Sequence, residues 1–348
     1  MLNAISLFTG AGGMDIGFEE AGFTILLAND NDIKASETYI ANHPSTPFIT
    51  DDIDRIMGEF RKYRDVDVVF GGPPCQGFSV IGKMDPNDER SKMIWSFLNA
   101  VEIVSPKAFV MENVKSLATI KKWTGVRDAF IQRSKDLGYG CVPIIVNASE
   151  HGVPQKRERV FFIGIKGRYD FEDKLKNYLE DQKRKAPVIR ELFNDLGPAG
   201  TEKNPNTCNA KITFAVRPVM RKNPYDCLMF NGIGRPIDPD GYSRTITASM
   251  GGNMTLIVDE VFLHNRNANN WIQEYYDGLV SGRVIPEFKE APRRLRRLTI
   301  NETKRLQTFP DDYYFSGAKT NIYKQIGNAV PCEMAKSVAK ALRMMLEK

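Results

Sequence analysis

The chain has 348 residues, of which 42% are hydrophobic and 26% charged, an ordinary globular composition that excludes wholesale disorder. This length predicts about two domains and a core that needs neither disulfide nor metal to hold it. Lys plus Arg less Asp plus Glu is 48 − 43 = +5, which permits an anionic partner without demonstrating one. No apolar run approaches the roughly 18 residues of a membrane span. The first residues carry no charged stretch ahead of an apolar core, so a cytoplasmic protein with no membrane partner is expected. Five cysteines form no CxxC pair and the three histidines stand far apart, so neither a disulfide framework nor a metal site is expected.

From the N-terminus, residues 4–8 read as a short apolar strand, broken by Thr9-Gly10-Ala11-Gly12-Gly13. Residues 14–21 have helical character, 24–28 form a second strand, and Asp30-Asn31-Asp32 leads into a helix toward Ile40. Strands follow at 47–50 and 66–70, and Met93–Val104 carries apolar residues at helical spacing. Residues 107–111, 142–146 and 160–165 complete the strands. Strands alternating with helices predict an α/β domain with a mostly parallel sheet. Ligands of such sheets sit beyond the carboxyl ends of the strands. After residue 165 the texture changes. Residues 168–190 are charged and lose the alternation, and 190–290 are rich in Pro, Asn, Gly and Arg, with strand-like pieces at 244–248 and 255–258. A second, irregular, β-containing domain is expected there. Cys332–Leu346 places Ala335, Val338, Ala339, Leu342 and Met345 on one face, an amphipathic helix that needs a packing partner. The expected division is 1–185, 186–317, and a C-terminal segment 318–348 that returns to the first domain.

The residues after each strand are where chemistry is expected. Glycines 10, 12 and 13, between a strand and a helix N-terminus, let a ligand approach the backbone, although a plain tight turn has the same composition. The sixth position is Asp15, so this is not the dinucleotide fingerprint GxGxxG. Asp30 follows the second strand, where ribose hydroxyls bind in a nucleoside site, and Asp52 follows the third. Gly71-Gly72-Pro73-Pro74 fixes a tight backbone just before Cys75, a thiol with the placement of a nucleophile. The other four cysteines read as small buried hydrophobes. Glu112, at the end of Phe109-Val110-Met111, puts a carboxyl on the same rim, unless it is a surface acid or helix cap. In Gln155-Lys156-Arg157-Glu158-Arg159 the two arginines alternate, so both point to one face of an extended chain. A solvated charged edge is the commoner meaning of such a pattern.

Together these pieces resemble the cytosine-C5 DNA methyltransferases, of the bacterial type II restriction–modification kind. The motifs stand in the family's order: Ser6-Leu7-Phe8-Thr9-Gly10-Ala11-Gly12-Gly13, Gly72-Pro73-Pro74-Cys75-Gln76-Gly77-Phe78-Ser79, Glu112-Asn113-Val114 and Gln155-Lys156-Arg157-Glu158-Arg159. Near the end come Arg297-Leu298-Thr299 with Glu302, then Arg305-Leu306-Gln307-Thr308-Phe309-Pro310 and Gln325-Ile326-Gly327-Asn328-Ala329-Val330-Pro331. Only 170–290 is poorly covered.

The resemblance implies the fold of an S-adenosylmethionine-dependent methyltransferase, a Rossmann-like, mostly parallel sheet with a smaller irregular β-containing target recognition domain. It implies S-adenosyl-L-methionine as cofactor, double-stranded DNA as substrate, a cognate restriction endonuclease as functional partner, and a monomer acting on bacterial nucleoid DNA. Cys75 would add to C6 of a flipped cytosine, making C5 a nucleophile toward the cofactor's methyl group. Glu112 would hydrogen-bond N3 and the exocyclic amine, and Arg157 and Arg159 would bind O2 and a nearby phosphate. Phe8, Gly10, Gly12 and Pro73 would enclose the cofactor, with Asp30 on its ribose and Asn31, Asp52 and Ile53 facing its adenine. Asn31 departs from the aromatic that many relatives carry there. Asn328 and Val330 would close the pocket from the far end of the chain. Gln76, Ser79, Arg90 and Asn113 would lie on the DNA side, with 79–91 a closing loop. Arg244, Thr245, Gly251 and Gly252 match the recognition-domain core, and basic clusters at 183–185, 217–222 and 293–297 suit phosphates.

Two alternatives are distinguishable. A tRNA cytosine methyltransferase would carry Cys-Phe-Thr in its second domain, but Asn209 follows Cys208 and Leu228 follows Cys227. A catalytically inactive DNA-binding relative would have lost the Pro-Cys or Glu-Asn-Val residues, and both are present.

Overall fold

Five parallel strands and an antiparallel insertion organise the N-terminal half. The structure, a computed structural model, describes residues 2–74 and 92–347. The chain divides into two compact units, Met1–Gly152 with Arg157–Lys185 and Ala329–Lys348, and Val153–Lys156 with Ala186–Asn328.

The first unit runs β1 (Leu2–Leu7), α1 (Gly13–Glu20), β2 (Phe23–Asp30), α2 (Ile33–Asn42), β3 (Phe48–Thr50), α3 (Met57–Phe60), β4 (Val68–Gly71) and α4 (Met93–Val104). It continues through β5 (Ala108–Val114), α5 (Lys115–Thr119), α6 (Thr124–Asp136) and β6 (Tyr139–Asn147). The two-residue β7 (Gln155–Lys156) belongs to the second unit; β8 (Glu158–Lys166) and α7 (Glu172–Glu180) return to the first. The sheet order is β3-β2-β1-β4-β5-β8-β6. β3, β2, β1, β4 and β5 pair in parallel, and β8 runs antiparallel to both β5 and β6.

The apolar runs explain this sheet. All four residues of β4 and six of the seven in β5 are buried, as parallel strands covered on both faces require. Phe109 meets Phe97, Phe130 and Tyr139 edge-on at 5.3–6.2 Å, which locks α4 and α6 onto one face. On the other side, Cys332–Leu346 packs on α1 and α7. Its Ala335, Val338, Ala339 and Leu342 are 0% exposed, so the amphipathic stripe has its partner. Arg343 Nη1 donates to the Ala21 carbonyl at 3.0 Å, and Lys336 pairs with Glu20 at 2.7 Å.

Two local expectations are corrected. The charged stretch 168–190 contains a helix, α7, which buries Leu175 and Leu179 one turn apart and leaves its charges to solvent. The strand-like piece at 244–248 shortens to Ser243–Arg244, paired in parallel with β7.

The second unit is irregular, with small sheets and short helices. Phe214–Val219 pairs antiparallel with Leu228–Phe230, and Ile257–Asp259 with Leu295–Arg297. Its core gathers Ile212, Cys227, Met229, Phe230, Ile257, Ile272, Tyr275 and Leu295, capped by the stack of Phe214, Trp271 and Tyr275. Thr299 and Glu302 form a capping box that starts helix Ile300–Leu306. Helix Lys319–Asn328 closes the unit. No helix among the described residues is long and apolar enough to cross a membrane.

Candidate active site

The strand order reverses between β1 and β4, which sends the chain to β2 on one side and β5 on the other. Such a switch point opens a crevice outside the carboxyl ends of its strands. Here those ends lead into the glycine loop and into Gly72-Pro73-Pro74.

The glycine loop is held in an uncommon shape. Phe8 takes a left-handed backbone, φ 53°, and Gly12 caps α1 with φ 82°, a conformation that a side chain would strain. Ser6 and Thr9 hydroxyls meet at 2.9 Å, and Thr9 N–H donates to the Asn29 carbonyl at 3.0 Å. Gly10 N–H donates to Asp30 Oδ2 at 2.7 Å, and Asp32 N–H to Asp30 Oδ1 at 2.8 Å. Burial pushes the Asp30 carboxyl up, against the pull of those two donors. Asn29, missed in the sequence, donates from Nδ2 to the Ile49 and Asp51 carbonyls at 2.9 Å each, tying β2 to β3. Asp52 caps the turn Ile53–Arg55 through the Asp54 N–H at 2.9 Å, and Ile53 is 3% exposed. Asn31 is exposed. Ile33, also passed over, is 65% exposed in the first turn of α2. Its apolar type reads as core, yet the structure sets it on this rim.

Beneath the loop lies Asp15, fully buried in the first turn of α1. It accepts from the Tyr39 hydroxyl at 3.1 Å. Burial pushes its carboxyl up to about 7, against opposing pulls from His43 and Ser6. The native carboxyl therefore keeps its proton to about pH 7, whereas in the unfolded chain it ionises near pH 4 (about). Stability contributed at low pH is lost as pH rises through that window. Asp15→Asn keeps an acceptor for Tyr39 and has no proton to lose. Urea unfolding should show a flatter pH slope for the variant and a gain above pH 7 of on the order of 2–4 kcal/mol. A slope as steep as the wild type's would contradict this.

At the second end, β5 grips the chain that follows β4. Asn113, 0% exposed, donates from Nδ2 to the Pro73 carbonyl at 3.3 Å and accepts the Val114 N–H at 2.9 Å. A Cβ on Gly72 would stand 3.2 Å from Glu112 Oε2, so that glycine makes room for the carboxylate. Glu112 is 9% exposed, and its Oε1 lies 2.9 Å from Arg159 Nε. Burial pushes the Glu112 carboxyl up; Arg159 and Arg157 pull it down. Arg157 is 2% exposed and donates from Nη2 to the Ala329 carbonyl at 3.1 Å. It precedes β8, in the break after β7, so the pair does not alternate along one continuous strand. The arginines are nevertheless not a solvated edge; both act on Glu112. Cys75, Gln76, Ser79 and Arg90 lie outside the described residues.

In the second unit, Arg244 pairs with Asp226, its Nε at 3.1 Å, and Thr245 Oγ1 donates to the Lys156 carbonyl at 2.8 Å. Gly251 N–H donates to Thr255 Oγ1 at 2.9 Å, and Gly252 faces open space. Asn328 is exposed at the end of its helix, in the second unit; Val330 is buried in the first.

The model of the C-5 cytosine-specific DNA methylases matches residues 2–344. The chain belongs to that family. It is 30% identical over 378 residues to the type II methyltransferase M.DdeI of Desulfomicrobium norvegicum, covering 99% of this chain and 89% of that one. It is 33% identical over 350 residues to M.HindV of Haemophilus influenzae, covering 98% and 96%. In fold it is similar to the S. pombe Dnmt2 methyltransferase, with a TM-score of 0.67, 18% identity and coverage of 99% and 98%. It is equally similar to the Entamoeba histolytica methyltransferase EhMeth, with a TM-score of 0.67, 17% identity and coverage of 100% and 99%. The chain is a DNA (cytosine-5-)-methyltransferase of the type II restriction–modification kind, its Rossmann-like sheet that of an S-adenosylmethionine-dependent enzyme.

The donor set at β1 and β2 fits that cofactor. A carboxylate at the end of β2 suits a ribose diol, and the space beyond Gly10 is clear where a side chain would stand. Phe8 and Ile33 offer apolar surface on the same rim.

Proposed function

We propose that this DNA methyltransferase works through a covalent Cys75 adduct on a flipped cytosine in double-stranded DNA, as the modification partner of a restriction endonuclease. The observation that carries the reading is the clamp on Gly72 and Pro73. Asn113 holds the backbone, and Glu112 fills the space over Gly72, two and three residues before Cys75 in the chain. On this reading thiol and carboxyl act on the same base.

S-adenosylmethionine, when bound, supplies an electrophilic methyl group. The Cys75 thiolate adds to C6, forming an S–C6 bond and leaving C5 electron-rich. Negative charge builds at N3 as the bond forms. Glu112, kept toward its protonated form by burial, donates to N3. Arg159 holds the carboxyl in place from 2.9 Å and supports the base's O2, with Arg157 behind it. After C5 takes the methyl group, a base takes the C5 proton, the C5–C6 double bond re-forms as the S–C6 bond breaks, Cys75 leaves as a thiolate, and the N3 proton returns to Glu112. Asp30 binds the cofactor ribose, Phe8, Gly10, Gly12 and Pro73 enclose it, and Asp52, Ile53 and Ile33 border the adenine. Residues 186–296 read the DNA sequence, with Arg244, Thr245, Gly251 and Gly252 in the reading stretch. The enzyme acts as a monomer on DNA in the cytoplasm.

Bisulfite sequencing of DNA from cells expressing the chain tests this directly. One short sequence context should carry methylated cytosine at nearly every copy, and the Cys75→Ala chain should leave none. Unmethylated DNA, or methyl groups scattered without context, would overturn the reading.

A further inference from the structure

One buried polar side chain of the Gln-Lys-Arg-Glu-Arg motif has no part in this chemistry. Gln155 is 0% exposed. Its Nε2 donates to the Leu306 carbonyl at 3.2 Å and to Gln307 Oε1 at 2.8 Å. Its Oε1 accepts the Ile246 N–H at 3.0 Å. Gln307 in turn donates to the Ile326 carbonyl at 2.8 Å. The backbone follows the same path. Ser243 N–H donates to the Pro154 carbonyl at 3.0 Å, Thr245 Oγ1 donates to the Lys156 carbonyl at 2.8 Å, and β7 pairs with Ser243–Arg244. Next to Ile326, a Cβ on Gly327 would stand 2.2 Å from the Thr247 carbonyl, so that helix end also closes on the stretch.

Two amides in series, Gln155 and Gln307, thus join the stretch 243–247 to the ends of two helices. All these groups lie in the second unit, yet the residue after Lys156 is Arg157, in the first. The segment that pairs with the stretch assigned to reading DNA, Gln155–Lys156, is thus one peptide bond from Arg157.

We infer that Gln155 is a positioning residue that holds residues 153–156, the segment from which Arg157 and Arg159 follow, to the stretch 243–247. This rests on the methylation reading above. Turning Gln155 away breaks three buried hydrogen bonds, each costly to leave unmade, so its segment moves with the stretch or not at all. A stretch that fits its DNA poorly displaces residues 153–156, and with them the point where Arg157 enters the catalytic unit. Arg159 then meets Glu112 off line, and the chemical step slows while cofactor binding is untouched.

The test uses the full chain, a duplex bearing the methylated context found by bisulfite sequencing, and a second duplex with one base pair of it changed. Gln155→Glu keeps the acceptor for Ile246. When ionised it has no hydrogen for Leu306 or Gln307; when protonated it regains one. Burial raises a carboxyl's pKa, so that hydrogen returns as pH falls toward about 6. At about pH 8.5 the single-turnover rate per active site on the matched duplex should fall at least about tenfold, with the S-adenosylmethionine KM within about twofold. Discrimination between the duplexes should narrow, and both losses should shrink as pH falls, relative to wild type. Gln155→Leu, which loses all three bonds, should show the loss at every pH. Active sites are counted by trapping on 5-fluorocytosine DNA, so a smaller folded fraction does not mimic the effect. Wild-type rate and discrimination in Gln155→Glu would overturn the inference, as would a loss confined to the number of active sites. A wild-type chain inactive on every duplex would overturn the methylation reading itself.

Discussion

Replacing Cys75 with alanine is expected to lower methylation of the matched duplex by about four orders of magnitude or more, the scale on which losing an enzyme's nucleophile acts. Cytosine C5 is a poor nucleophile until a group adds at C6, and Cys75 is the one cysteine in the sequence Gly72-Pro73-Pro74-Cys75-Gln76-Gly77-Phe78-Ser79. Alanine leaves Gly71-Gly72-Pro73-Pro74 intact, and the Asn113 hydrogen bond to Pro73 does not involve position 75. Calorimetry should therefore show S-adenosylmethionine affinity within about twofold of wild type. Single-turnover transfer of a labelled methyl group measures the loss. A Cys75→Ala chain that retains a tenth or more of the rate (about) would remove the thiol from the mechanism.

Glu112→Gln carries the next largest effect. The carboxyl is 9% exposed, bound to Arg159 at 2.9 Å, and raised by burial more than the arginines lower it. A carboxyl so placed can hand a proton to N3 as charge develops, whereas an amide can donate a hydrogen bond and nothing more. The single-turnover rate should fall about 10²–10³-fold. The pH profile supplies the sign. A raised carboxyl holds its proton at low pH and loses it as pH rises, so the wild-type rate should fall on its alkaline side through that ionisation. The Gln variant should lack that limb. A variant with the wild-type rate, or with the limb intact, would assign the proton to another group.

How far the sequence carries depends on whether a residue's partner is local. Met93–Val104 and Cys332–Leu346 appear as helices over the residues their apolar spacing marks. Their buried faces, at three- and four-residue intervals, need no knowledge of the partner. The strands of the first unit were legible from apolar runs because both faces of the sheet are covered. Helix α7 was not legible: only Leu175 and Leu179 are buried, and its charges resemble those of a linker. Residues 244–248 alternate like a strand, but after Arg244 the Ile246 N–H goes to the Gln155 side chain, not to a neighbouring strand. The depth of Arg157 was hidden for the same reason. A run of Lys, Arg and Glu reads as surface until a carboxylate and a carbonyl from distant segments, Glu112 and Ala329, are brought to it. Asn29 and Gln155 follow suit. An uncharged amide gives no sign of function until its two or three partners are known.

The covalent route requires a bond between the Cys75 sulfur and C6 of the target base. A duplex carrying 5-fluorocytosine at the methylated position measures it most directly. Fluorine at C5 leaves no proton to remove, so the adduct cannot resolve after methyl transfer. Incubated with S-adenosylmethionine and analysed by intact mass under denaturing conditions, the wild-type chain should appear joined to the DNA with one added methyl group. Peptide mapping should place the linkage on Cys75, and Cys75→Ala should give none. A wild-type chain that methylates ordinary DNA yet forms no adduct, or an adduct that survives in Cys75→Ala, would contradict the account.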